Sequence, residues 1–542
     1  MKPLATTWPF RLRATVSPIL LLAILAAAPA AADPSFQISF LVDYRSAVEL
    51  ASPAVAVQGE GETAFVWRGE CPQPGFCLSH YTPGQQPPTP PVLLDVGASV
   101  PDSPPRVAVG AGEELVVVWS EPAADGTRRV ALRIYDFFGL PLGPKRLVAA
   151  AAGEVFAHPD VAVTPAGELV VAFEHRGSGD AEGAGIEILG RRLAADGSPL
   201  GPAFRVDGPT SAEVAWPRVA AGPDETVFVW ESRLGGAGEG IGMCRVTDLA
   251  APECAVGDAF AAPRSATFQR REPAVAASAQ GTFLVAWTDV DPAPAGVPAV
   301  RFQVLRDGAA LLAEPPSYDR ASTPAVDGAD DVFLLVWTAY PLDEPRHVLA
   351  QRLDAFAQPL EGGGYLISSA HVLGTGVPLT PDAGLYGRGG LDTAFVAGWR
   401  HRDPQGELSI IGARASSQTS PPTSCTETGE KMCLGAGNRF RVRALWSRSR
   451  PAPAIYGRGR QIEITPDTGY FWFFRETNVE VLVKVLDGCA VNGHYWVFAA
   501  GLTDLDVILD VYDTQNQESE IYHSEEGRPF QPIQDTGAFP CG

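Results

Sequence analysis

Along residues 34–415, short apolar runs come in pairs separated by a small polar turn. The first run of each pair reads Val55-Ala56-Val57, Val107-Ala108-Val109, Val161-Ala162-Val163, Val219-Ala220-Ala221, Ala274-Val275-Ala276 and Pro324-Ala325-Val326. The second run ends on an aromatic, at Trp67, Trp119, Phe173, Trp230, Trp287, Trp337 and, in a weaker copy, Trp399. These aromatics are 52, 54, 57, 57, 50 and 62 residues apart, a supersecondary period. Turns such as Gly59-Glu60-Gly61-Glu62, Pro165-Ala166-Gly167 and Ala279-Gln280-Gly281 make each pair a β-hairpin.

The second run does not alternate between apolar and polar. Leu115-Val116-Val117-Val118-Trp119 is apolar on both faces, so sheets must cover it on both sides. Alternating segments follow, such as Val130 to Asp136 and Ile186 to Arg192, and supply two more polar outer strands. Four strands graded from buried to exposed, recurring with this period, predict an all-β chain whose residues 33–415 form a seven-bladed β-propeller. The seventh unit lacks a fourth strand, and Phe36 to Val42 has no partner of its own. Pairing the two would close the ring and remove its exposed edges.

The phrase Pro273-Ala274-Val275-Ala276 followed by Gly281-Thr282-Phe283-Leu284-Val285-Ala286-Trp287 resembles propeller repeats in many exported bacterial proteins. Arg192-Leu193-Ala194-Ala195-Asp196-Gly197-Ser198-Pro199-Leu200-Gly201 does so too. The resemblance spans residues 34–415 and implies architecture, with no activity attached.

Composition supports this picture. Gly 56 and Pro 49 in 542 residues argue against long helices, while 46% hydrophobic residues exclude a disordered chain. Residues 1–32 have the form of a secretory signal: Lys2, Arg11 and Arg13, the apolar run Ile19 to Ala27, and Ala30-Ala31-Ala32 before Asp33. Later apolar runs are too short to span a membrane. The expected location is secreted, periplasmic or cell-surface, with no integral membrane span after signal removal.

Removing those three bases takes the net charge from −22 to −25, which disfavours nucleic acid as a partner. The eight cysteines, Cys71 with Cys77, Cys244 with Cys254, and Cys425, Cys433, Cys489 and Cys541, read as disulfides in an exported chain. The last four permit three pairings.

Pro421-Pro422 lies in a Ser/Thr-rich stretch, and residues 416–424 read as a linker to a second domain, 425–542. Seven short candidate strands between Phe440 and Tyr522 predict a small immunoglobulin-like β-sandwich. The stretches Gly469 to Phe474, Lys484 to Cys489, Asn492 to Phe498 and Pro529 to Thr536 resemble a C-terminal module that recurs in exported bacterial proteins, of unknown function. Seven arginines from Arg439 to Arg460 occur without an intervening acid. Arg439, Arg441 and Arg443, spaced by two, are expected to line a solvent face and pair across strands with acids. Trp472, Tyr495 and Trp496 are expected to serve packing rather than sugar stacking.

The sequence contains no His-Glu-x-x-His, Walker loop, Gly-x-Ser-x-Gly, EF-hand loop or Asp-box. No metal or cofactor is expected. Residues before the first and after the second strand of each hairpin should share one rim around the channel. The candidate ligand-binding set there is His158, Glu174, His175, Arg176, Trp216, Glu231, Arg233, Arg271, Asp289, Arg400 and His401. Glu174 and Glu231 form a candidate acid–base pair. The leading expectation is an exported non-enzymatic binding or adhesion protein taking a glycan, peptide or envelope protein on this rim. The alternatives are a carbohydrate-active hydrolase or lyase using rim carboxylates, or an envelope scaffold.

Overall fold

The computed structural model describes residues 36–541 apart from 45–51, 72–73, 83–87, 96–103, 178–184, 209–212, 234–238, 259–268, 291–296, 313–314, 341–345, 361–364, 368–376, 388–392, 403–407, 417–424, 449–454 and positions 60, 90, 426, 428, 430, 517 and 525. The expected signal and most of the linker lie outside the described residues. What is described is all-β and propeller-like, with a single short helix, Cys489–Asn492.

Each propeller unit starts at the channel and moves outward through antiparallel strands. Ala54–Val57 pairs with Thr63–Glu70, then Pro74–Tyr81, then Val92–Asp95. The same order recurs from Glu213–Ala221 through Thr226–Arg233 to Glu239–Val246 and Ala255–Asp258, and from Ala321–Ala329 through Val332–Ala339 to His347–Asp354. Gln269–Ala277, Thr282–Val290 and Ala299–Arg306 carry two short outer strands. The units starting at Arg106–Val109 and Val155–Val163 are joined by one parallel residue pair, Val155 with Arg128. Phe36–Tyr44 pairs antiparallel with Leu408–Ser416, the outer strand of the sheet running through Thr393–Arg402 to Val377–Gly387. The first strand therefore completes the last sheet.

The apolar second strands are buried on both faces because a neighbouring sheet lies on each side. Leu115 to Trp119 are at most 1% exposed. Alternate residues point opposite ways: Val116 and Val118 join one core cluster, while Leu115, Val117 and Trp119 join the next. At roughly 1.5–3 kcal/mol for each large apolar side chain removed from water, this contact between sheets is the main source of stability.

The inner strands share a further feature. In Val155–Val163, Glu213–Ala221, Gln269–Ala277, Ala321–Ala329 and Val377–Gly387, the register slips at an X-Pro step. The residue before each proline, His158, Trp216, Glu272, Thr323 or Thr380, has positive φ. Proline has no N–H to donate, so it suits an innermost edge strand, and the bulge re-aims the side chain before it.

The C-terminal module packs two sheets against each other. One contains Met432–Leu434, Phe440–Arg448, Ile455–Arg458, Asp506–Asp513 and Glu518–Ser524. The other runs Arg460–Thr465, Thr468–Trp472, Val481–Asp487, His494–Gly501 and Ile533–Pro540. Phe440, Val442, Phe471, Val483, Val497, Leu509 and Phe539 fill the space between them. The disulfides are Cys71–Cys77, Cys244–Cys254, Cys425–Cys433 and Cys489–Cys541. Among the described residues no helix is long and apolar enough to cross a membrane. The disulfides agree with an extracellular or periplasmic setting.

The arginine stripe does not face solvent, which corrects that expectation. Arg439 and Arg441 are buried. Arg439 makes a forked pair with Asp513 at 2.8 and 2.6 Å. Arg441 and Arg443 reach Asp510 at 3.0 and 3.2 Å and also engage Glu62, at the turn of the first propeller hairpin. Lys431 lies 3.6 Å from Glu113 of the second unit. Arg441 and Arg443 thus seat the module on the propeller, while Arg439 pairs within the module.

Candidate functional site

The inner strands enclose a channel of about 980 Å³. Small residues of the Val-Ala-Val phrase form most of its wall, and charged residues interrupt that phrase. Arg106, Asp160, Arg218 and Asp382 each directly follow a proline, and Asp327 stands within Ala325-Val326-Asp327. An innermost strand has an open edge, so its backbone N–H groups need acceptors. The carboxylates supply them across consecutive sheets: Asp160 Oδ2 accepts from Val219 N–H at 2.9 Å, Asp327 Oδ2 from Leu385 N–H at 2.7 Å, and Asp382 Oδ2 from Val55 N–H at 2.9 Å. These bonds fix the carboxyl groups against the wall.

The channel shifts their protonation. Burial pushes the Asp327 carboxyl up to about 6, and the neighbouring Asp382 charge adds to the shift. Burial also raises Asp382, but the Arg106 guanidinium opposes the rise. Burial and the nearby Arg106 bring Arg218 down to about 10, against the pull of Asp160, Asp382 and Glu231. Neighbouring buried carboxyl groups with raised proton affinity, one of them opposed by a guanidinium, are candidates for acid–base work.

At the channel mouth the bulges are tied to the preceding sheet. Glu174 Oε1 accepts from the Trp216 N–H at 2.8 Å, and Glu231 Oε1 from the Glu272 N–H at 2.8 Å. Glu272 Oε2 in turn accepts from the Thr323 N–H at 2.9 Å and the Thr288 hydroxyl at 2.7 Å. Glu174 and Glu231, expected as an acid–base pair, thus each hold a bulge of the next sheet.

Of the other rim candidates, Trp216, Arg271 and Glu231 line the channel. Arg271 donates to Gln269 Oε1 at 2.7 Å. His158 stands behind Trp216, its ring 4.0 Å from the indole and its Nδ1 2.8 Å from Glu174 Oε2. His175 is occupied elsewhere, with Nε2 2.9 Å from Glu154 and Nδ1 3.3 Å from Glu187, and its ring stacked on Phe156. Arg176 sits across from Val155 and Ile186 at a strand end. Asp289 accepts from the Trp287 indole at 2.7 Å and pairs with Arg301 at 2.7 Å. Arg400 lies opposite Leu379 and Ile410, and His401 is buried opposite Pro378 and Ser409. Arg233 lies opposite Glu213, and its side chain is outside the described residues.

Rim reasoning therefore missed Arg106, Asp160, Arg218, Asp327 and Asp382. A signal was available: a charge inside a buried apolar phrase needs a compensating reason. Tyr495 joins in packing and is covered by the Arg439 guanidinium at 4.4 Å, while the Trp496 indole donates to Asn492 Oδ1 at 2.8 Å.

No protein-family model matches the sequence, and no curated protein matches it. Solved structures are similar to part of the chain at low identity. An ulvan lyase of a polysaccharide lyase family matches 69% of this chain and 95% of its own, at 9% identity and a TM-score of 0.45. An alpha-L-arabinofuranosidase of Fusarium graminearum matches 70% and 96%, at 9% and 0.39. An alpha-L-arabinanase of Penicillium chrysogenum, complexed with arabinobiose, matches 57% and 92%, at 12% and 0.39. The neighbours are carbohydrate-active enzymes, against the leading expectation of a non-enzymatic binding or adhesion protein, and that expectation is corrected in favour of its alternative. At such identities and TM-scores no activity passes from these proteins to this chain, and the chemistry must come from the channel's own side chains.

Proposed function

We propose that the protein is an exported glycoside hydrolase whose channel carboxyl groups perform acid–base cleavage. The observation that carries this reading is Asp327, pushed up to about 6 beside Asp382 on the next inner strand. Burial raises both carboxyl groups, and Arg106 favours the ionised form of Asp382, which is therefore assigned the base or nucleophile role in this reading. Asp327 then holds the proton for the departing glycosidic oxygen. Asp382 takes the proton of an attacking water or attacks the sugar itself. The architecture in this reading is a seven-bladed propeller closed by its N-terminal strand at residues 33–415, followed by an immunoglobulin-like sandwich at 425–542.

Arg106 and Arg218 favour a second reading, a polysaccharide lyase, because guanidinium groups in the channel would pair with a uronate carboxylate. Reducing-sugar release from arabinan, xylan and ulvan, with ultraviolet detection of unsaturated products, tests both. Hydrolysis lowered about 10²–10⁴-fold in Asp327→Asn and Asp382→Asn supports the first reading. Unsaturated products support the second. Cleavage unaffected by both substitutions removes the carboxyl pair from the mechanism.

A further inference from the structure

We infer that Trp216 is a sugar-stacking platform at the channel mouth, a subsite for a glycan ring, and that Glu174 is its positioning residue. This rests on the glycan-cleaving reading above. Five inner strands have a residue of positive φ before a proline, and the other four are His158, Glu272, Thr323 and Thr380. The backbone does not need an indole there, and left-handed φ is unfavourable for a bulky aromatic residue. The strand-ending tryptophans Trp67, Trp119, Trp230, Trp287, Trp337 and Trp399 are almost wholly excluded from solvent, whereas Trp216 is half-buried and lines the channel.

The ring is also held. Glu174 fixes the Trp216 N–H through Oε1, and its Oε2 lies 2.8 Å from His158 Nδ1. His158 packs against the indole with ring centroids 4.0 Å apart and planes inclined by 37°. Covered by His158, the ring turns its remaining surface to a channel that Arg218, Glu231 and Arg271 also line. A rigid apolar ring among charged groups matches the chemistry of a sugar, whose C–H face is apolar and whose rim carries hydroxyls.

Isothermal titration of the full-length protein with arabinohexaose, xylohexaose and cellohexaose, together with KM and kcat for any that is cleaved, tests this. Trp216→Ala is expected to weaken binding about 10-fold or more, raising KM more than it lowers kcat, while Trp216→Phe stays within about 3-fold. Glu174→Ala is expected to reproduce the KM rise without touching the sugar, and Glu174→Gln, which keeps an acceptor oxygen, to restore it. Thermal melting identifies a variant that fails to fold, and the Phe and Gln variants then decide. Cleavage with KM unchanged in Trp216→Ala overturns the platform alone. No binding and no cleavage of any hexaose or polymer overturns the enzyme reading, and the platform with it.

Discussion

Arg441 of the C-terminal module meets Glu62 of the first propeller hairpin, with both side chains excluded from solvent at 1% and 0% exposure. Asp510 completes the contact at 3.0 Å from Arg441, and Arg443 joins from two residues along the same strand. A buried charge stripped of its partner is costly, whereas an apolar pair of similar size often is not. Glu62→Ala or Arg441→Ala is therefore expected to weaken seating of the module by roughly 3–5 kcal/mol, read as early cleavage between the domains in limited proteolysis. The double variant Glu62→Leu/Arg441→Met should lose less than the sum of the singles.

The same junction gives the protein an acid limit. His80, beside this ion cluster and facing Glu62, Asp510, Arg441 and Arg443, is brought down to about 4, chiefly by burial. Below 6.5 the unfolded chain takes up a proton that the folded His80 refuses until about 4, so stability falls with pH across that window. Burial raises Glu62, but Arg441 and Arg443 outweigh it and hold the carboxyl well below the usual range. Its contribution is present above 4.5 and is lost as pH falls further. Melting temperature measured from pH 8 to 3 should drop in both stages, and His80→Gln should flatten the upper one.

Asp327 carries the opposite sign. Its carboxyl ordinarily titrates at 3.8 but retains its proton to about 6 in the channel, so the folded state loses stability as pH rises between those values. Asp327→Asn, which keeps an acceptor for the Leu385 N–H, should melt higher than the wild type at pH 8 while its hydrolysis falls by about 10²–10⁴-fold. Wild-type cleavage should decline above about pH 6 as the acid ionises. Equal melting temperatures at pH 8 would contradict the buried-carboxyl account.

Non-reducing peptide mapping should recover Cys425 with Cys433 and Cys489 with Cys541, out of the three pairings the tail allows. The Cys489–Cys541 bridge closes a separation of 52 residues and ties the end of the final strand to the short helix before His494–Gly501. Replacing both with Ala should destabilise the module by roughly 2–5 kcal/mol, measured by denaturant unfolding.

Much of the fold was legible because apolar periodicity is a local property. The run from Leu115 to Trp119 announces burial on both faces, and the structure assigns its alternate residues to two different clusters. The catalytic candidates were harder to see. Strand-ending charges such as His175 and Asp289 looked like a rim, yet they are bound to Glu154, Glu187 and Arg301. The channel groups sit where the sequence reads as apolar wall, and only the juxtaposition of inner strands from successive sheets makes Asp327 and Asp382 neighbours. In the tail, Met432–Leu434, Ile455–Arg458 and Ile533–Pro540 add to the expected strands; they are short or irregular runs whose pairing depends on partners distant in the chain.

By itself the sequence determined the repeating hairpin, its greasy second strand and the all-β class, because spacing and hydrophobicity act within a few residues. The tertiary structure alone decided which charges converge. Asp327 comes within the field of Asp382, Glu174 captures the Trp216 backbone, and Glu62 disappears beneath Arg441, each across a gap in sequence that only sheet packing closes. Burial there sets protonation and ion pairing, and burial is a property of the assembled neighbours rather than of any residue's own place in the chain.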